Sequence, residues 1–215
     1  MIIQRLYEYA VNHPDIIPSP GWGMEKIEYA IVLDEKGEIV QIQHLGGILL
    51  KVPSLNKKRT VRIEPNFLWD NTQYVFGFWN EFEIEKEIEK ENKRGKSLTK
   101  DDFNSEIEKI KKNALERFEK FKEFNLKRLE NIPSLNTELL AFQKFMEKLS
   151  PIKTWEEIVN FLKQYQCDDG FVEAKVVFRF KDQESYIHES EQAKQIWENY
   201  IAEQDAQKGM CLVTG

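Results

Sequence analysis

The stretch Ile27-Glu28-Tyr29-Ala30-Ile31-Val32-Leu33, followed by Asp34-Glu35-Lys36-Gly37 and then Glu38-Ile39-Val40-Gln41-Ile42-Gln43-His44, decides the fold class. Two apolar runs flank a short polar turn, which predicts a β-hairpin. Gly37 supplies the positive φ that such a turn commonly needs. Residues 48–53 (ILLKVP) predict a third strand closed by Pro53. Upstream, Ile2, Ile3, Leu6, Tyr9 and Ala10 recur at helical spacing and predict a short helix over 2–11. Pro18-Ser19-Pro20-Gly21 then makes a turn-rich connection.

Downstream the period changes. From about Thr99, the positions Ile107, Ile110, Leu115, Phe118, Phe121 and Leu129 predict one long amphipathic helix, with Thr99 and Asp102 as a variant capping pattern. Leu139, Leu140, Phe142, Phe145, Met146 and Leu149 predict a second helix. Thr154 and Glu157 form a capping box for a third. From Gly170 to Phe180 the period is 2, which predicts a long strand. Residues 191–203 return to a helix, and 209–215 (GMCLVTG) read as a buried-type strand. Strands, then helices, then a returning strand give an α+β fold: a largely antiparallel twisted sheet with helices. The charged helical region at 81–150 is expected to form an arm, a face or an insertion within one domain spanning 1–215.

The chain has 215 residues, 41% hydrophobic, 32% charged and 12% aromatic. It can therefore build a core under a heavily charged surface, and it is too aromatic for a disordered segment. Its net charge of −6 excludes a wholly basic nucleic-acid wrapper but not a local basic patch. Two cysteines, Cys167 and Cys211, are far apart, which argues against a disulfide scaffold or a structural zinc site. No apolar run is long enough to span a membrane, and the N-terminus has no secretory pattern, so the expected compartment is the cytosol.

Enzyme signatures fail one by one. His13, His44 and His188 stand at no metal-ligand spacing. Gly46-Gly47 lacks the Lys-Ser/Thr of a phosphate-binding loop, and there is no nucleophile elbow. Cys211 sits between Met210 and Leu212 and reads as a small hydrophobe. The many carboxylates lie in Glu/Lys helices, where a solvated face is their ordinary use. No enzyme activity and no cofactor is expected.

Two segments stand out. Between residues 51 and 62 the chain carries Lys51, Lys57, Lys58, Arg59 and Arg62 with no acid, a local charge of +5. Such a run is either a solvated surface loop or a phosphate-tracking one, whose binding would depend steeply on salt. Beside it lies Asn66-Phe67-Leu68-Trp69-Asp70-Asn71-Thr72-Gln73-Tyr74. Phe67, Leu68 and Trp69 read as core anchors. Asn66, Asn71 and Gln73 carry amides that can read base edges. The plainer reading, which leads on sequence alone, makes Asp70 and Asn71 turn or helix-cap residues. By contrast residues 182–208 hold seven acids and two bases.

Several blocks resemble one known family. They are Ala30-Ile31-Val32-Leu33-Asp34-Glu35 with Gly37, Val52-Pro53, Asn66-Phe67-Leu68-Trp69-Asp70-Asn71 with Tyr74-Val75 and Gly77, and the ending Cys211-Leu212-Val213-Thr214-Gly215. They are similar to the large subunit of the type I-C CRISPR Cascade effector complex. The resemblance implies an N-terminal domain of a longer chain and a non-enzymatic role in antiviral defence. That role is binding double-stranded DNA, reading the protospacer-adjacent motif and starting target unwinding. Its implied partners are the crRNA-containing Cascade subunits and a recruited helicase-nuclease that does the cutting. Lys51, Lys57, Lys58, Arg59 and Arg62 are then expected on phosphate. Asn66, Asn71 and Gln73 are expected on base edges or at the strand-opening wedge. Of these only Asn66 and Asn71 lie in a resembling block; the cations come from charge alone. The alternatives are an architectural subunit that holds the guide RNA end and its neighbours, and a nuclease, for which no metal or nucleophile site is seen.

Overall fold

The computed structural model describes residues 5, 20–55, 63–80 and 100–213, with the backbone alone for 100, 101, 103, 106, 205 and 207–213. The hairpin forms as the sequence predicts. Strand β1 (Trp22–Leu33) pairs antiparallel with β2 (Ile39–Pro53). Asp34 closes the turn: its Oδ1 accepts the backbone N–H of Lys36 and of Glu38, both at 2.9 Å. Those two N–H groups, Glu38 first, hold its carboxyl below the usual range. Gly37 has φ +76°, and a Cβ there would lie 2.5 Å from the Phe145 nitrogen. The turn is thus pressed against helix backbone where no side chain fits.

The third strand does not exist as a separate element. Residues 48–53 are the second half of β2, and they pair with Trp22–Ile27. Ile27 faces Ile48 and Tyr29 faces His44, so the residues between His44 and Ile48 bulge out of the ladder. Gly46 and Gly47 take φ +70° and +76° there. A glycine pair breaks an apolar pattern on paper, but in a strand it makes a bulge and lets the ladder resume.

The sheet is completed by β3 (Trp69–Asn71) and β4 (Lys175–Phe180), in the order β2-β1-β4-β3. β4 runs parallel to β1 and antiparallel to β3. This is the α+β, largely antiparallel sheet expected. The long strand expected from Gly170 is shorter, because Asp169–Glu173 is a 3-10 turn. Asp168 Oδ1 accepts the Gly170 N–H at 2.9 Å and captures the backbone before it can join the ladder.

Five helices are described: α1 (Thr72–Phe76), α2 (Lys100–Leu129), α3 (Thr137–Lys148), α4 (Trp155–Tyr165) and α5 (Glu191–Val213). The α4 capping box is present, with Thr154 Oγ1 accepting from Glu157 N and Glu157 Oε2 accepting from Thr154 N. On α2 the buried stripe is Ile107, Ala114, Phe118, Phe121 and Leu129. Leu115, expected on that stripe, is instead 38% exposed, because Ala114 takes the inward place. α5 continues through Val213, so the strand expected at 209–215 is helical as far as it is described. One internal glycine, Gly209, costs a helix only about 1 kcal/mol. Of the helix expected over 2–11, Arg5 is described and is helical; the rest lies outside the described residues, as do 81–99.

The main core joins one face of the sheet, through Ile31, Leu33, Val176 and Phe178, to an aromatic layer that includes Phe76, Phe78, Phe142 and Phe171. Phe142 meets Phe178 edge to face at 4.8 Å. A smaller cluster of Ile27, Ala30, Val52, Trp69 and Val177 is separate from it. Two helix lysines clasp the hairpin turn: Lys144 Nζ donates to the Glu35 carbonyl and Lys148 Nζ to the Lys36 carbonyl.

His188 is fully buried, and its Nε2–H donates to the Lys51 carbonyl at 3.2 Å. Burial pulls its pKa down from 6.5 to about 4, the Lys51 carbonyl opposes that shift, and nearby Lys194 adds to it. Above pH 6.5 the ring is neutral in folded and unfolded chain alike. Below it, the unfolded chain takes up a proton that the folded chain resists. Stability is therefore expected to fall by roughly 1.4 kcal/mol per pH unit between about pH 6 and 5 on account of this residue. Urea unfolding at a series of pH values checks this, and His188→Gln should flatten that part of the profile.

Candidate functional site

The block Asn66–Asn71 folds as a closed, pinned corner. Leu68 takes φ +60°, which a branched side chain adopts only when its surroundings enforce it. Two buried polar side chains do so. Asp70 accepts the Asn66 N–H on Oδ2 at 2.9 Å and the Asn71 N–H on Oδ1 at 2.8 Å. Asn125, near the C-terminal end of α2, accepts the Leu68 N–H at 2.8 Å and donates to the Asn66 carbonyl at 3.1 Å and the Phe121 carbonyl at 3.0 Å. Trp69 Nε1–H donates to the Pro53 carbonyl at 2.6 Å, and Thr72 Oγ1–H to the Val172 carbonyl at 2.6 Å. The corner therefore ties the end of β2, α2 and the 3-10 turn before β4 together.

This corner is one wall of a groove of about 420 Å³. Asn66, Trp69, Asp70 and Asn71 line it from the corner, Ser54 and Leu55 from the end of β2, and Glu64 and Pro65 from the chain that returns to it. Glu25 and Lys175 face each other in it as an ion pair at 2.6 Å. Their side chains are 43% and 32% exposed, so solvent screens the pair and it adds little to stability.

The expected site residues divide. Asn66 and Asn71 share this groove. The described hydrogen bonds of Asn66 are those of its main chain. Asn71 is the N-cap of α1, its Oδ1 accepting the Tyr74 N–H at 3.2 Å. Gln73 lies outside the groove lining, its Oε1 accepting from Arg117 Nη1 at 2.6 Å. Lys51 also lies outside it, with its ammonium 5.5 Å over the Trp22 ring. Lys57, Lys58, Arg59 and Arg62 lie outside the described residues. Leu55 and Glu64, which flank that run in sequence, both line the groove.

Sequence reasoning missed Asn125, while the turn use it allowed for Asp70 is the one the structure shows. Asn125 did leave a signal: it falls on the α2 stripe between Phe121 and Leu129, where an apolar residue is due. Among the described residues no cluster of three or more His, Cys, Asp or Glu side chains could hold a metal ion. The Cys167 thiol is pushed up to about 11, by burial first and by Asp168 second, and so stays protonated at neutral pH.

The family described as CRISPR-associated protein (Cas_Csd1) matches residues 3–215. The chain belongs to this family. No curated protein sequence matches it. The Csd1 family is the one that the blocks around Asn66–Asn71 and Ala30–Gly37 resemble, the large subunit of the type I-C Cascade complex. In this Csd1 chain no described helix is long and apolar enough to cross a membrane.

Proposed function

We propose that this Csd1 chain binds double-stranded DNA beside the target and reads the protospacer-adjacent motif for Cascade, starting strand separation without chemistry of its own. Cutting is left to a recruited helicase-nuclease. The observation that carries this reading is the tethering of the cationic run to a groove that bears amides. Leu55 and Glu64 both line that groove. Covalent geometry alone keeps Lys57, Lys58 and Arg59 within about 14 Å of it, since an extended residue spans at most about 3.6 Å. Cations within that radius can hold a phosphate backbone while amides in the groove meet base edges. The acidic remainder of the chain repels DNA elsewhere and leaves one favoured docking place.

The test separates the fold role of Asn71 from a reading role. Asn71→Asp keeps a side-chain oxygen that can cap α1 but removes the amide donor, and Asn66→Asp removes the amide donor of the other groove asparagine. In the reconstituted complex the ratio of affinities for duplexes with correct and scrambled motifs should fall by about 5- to 150-fold, the worth of one bidentate base contact. An unchanged ratio sinks the reading. One observation favours the architectural alternative: the side-chain carbonyls of Asn71 and Gln73 are both engaged within the chain. On that alternative the two variants bind and discriminate like the parent, while substitutions on the exposed faces of α2 and α3 block assembly.

A further inference from the structure

A second groove, of about 270 Å³, lies where α2 meets the segment entering α4. Its floor is apolar, with Leu115 and Ile152, and its rim carries three cations, Lys111, Lys112 and Lys153, and one acid, Glu108, around Trp79. Lys111 lies 5.1 Å over the Trp79 ring and pairs with Glu108 at 3.2 Å. Lys112 and Lys153 are exposed. This is a local cationic rim on a chain of net charge −6.

We infer that this groove docks an acidic protein segment with one apolar anchor side chain. The anchor sits on Leu115 and Ile152, and flanking carboxylates pair with Lys112 and Lys153. Four considerations select that occupant. The groove is smaller than the sites that take cofactors or nucleotides, about 300–1,000 Å³, and suits a single side chain. A nucleic-acid strand could satisfy the lysines, but it would leave the apolar floor covered by nothing. It also could not stack on Trp79, which Lys111 covers. A second copy of the chain brings a net charge of −6 against −6 and is repelled at long range. An acidic segment is attracted to the rim and buries the exposed leucine, so charge and apolar surface are complementary at once.

The experiment is site-specific photo-cross-linking in the assembled Cascade complex of defined subunits, with p-benzoylphenylalanine in place of Leu115. The expected product joins this position to a protein subunit, at a segment where Asp or Glu flanks an apolar residue. Lys112→Glu combined with Lys153→Glu should lower its yield by about tenfold or more, as loss of a close charge pair does. Both lysines are exposed, so the fold should survive, and circular dichroism confirms it. Raising the salt on the parent complex should lower the yield in the same way without any substitution. A product with guide RNA or DNA overturns the inference. So does a product within the same chain at 81–91, or a yield that neither charge reversal nor salt changes. No product above that from a probe at exposed Glu119 also overturns it.

Discussion

Asn125→Leu is expected to cost the fold about 2–6 kcal/mol and to remove duplex binding along with it. The side chain is fully buried inside α2 and serves three main-chain groups. The Phe121 carbonyl sits in the interior of a regular helix and keeps its helical partner when the amide goes. The Leu68 N–H and the Asn66 carbonyl have no such second source, and leucine matches the shape while leaving both orphaned. Each buried polar group left unpaired costs roughly 1–3 kcal/mol. The positive φ of Leu68 adds to the instability, because that strain persists only while both sides of the corner are held. Against a typical total of about 5–15 kcal/mol the loss is large. Urea unfolding measures it directly; a variant within about 0.5 kcal/mol of the parent refutes the account of the corner. The contrast with Leu115→Ser is informative, since that position is 38% exposed and its loss should hardly move the unfolding midpoint.

The parts of this fold that were legible are those whose causes are local. The Asp34–Gly37 turn is closed by its own residues, and the α4 capping box closes within four. The long helices announce themselves by apolar spacing that recurs over several turns. What was not legible depends on partners far along the chain. Whether Gly46-Gly47 ends a strand or bulges it is settled by β1, which continues to pair beyond the bulge. The parallel pairing of Tyr29 with Val176 joins residues 147 positions apart, and no local pattern encodes it. Asp168 shortens β4 by a choice between two local hydrogen-bonding schemes that the alternation of apolar residues does not reveal. At the candidate site the same division holds. The charge of the 51–62 run is plain from composition, and so are the amides beside it. That Lys51 points over Trp22 while Asn66 and Asn71 share a groove follows from strand orientation and from Asn125, neither of which the run itself contains.

The triple charge reversal Lys57→Glu, Lys58→Glu and Arg59→Glu should weaken duplex binding by the complex at every sequence, correct motif or scrambled. Each cation that neutralises a phosphate releases condensed counterions, and the affinity then falls with salt by about 0.9 in logarithmic slope per contact. Three lost contacts flatten the slope by about 2.7. Between about 50 and 200 mM salt the parent should therefore lose roughly 40-fold more affinity than the variant. The ratio between motifs should stay nearly constant, because phosphate contacts position the protein and carry no sequence. That pattern is the opposite of the one expected for Asn66→Asp and Asn71→Asp, which change the ratio and leave most of the slope. Lys51→Ala provides the internal comparison: its ammonium lies over the Trp22 ring and outside the groove, so it should change the slope by less than any one of the other three. A parent-like slope in the triple variant would mean that the run faces solvent only, and DNA would then have to meet this subunit elsewhere or not at all.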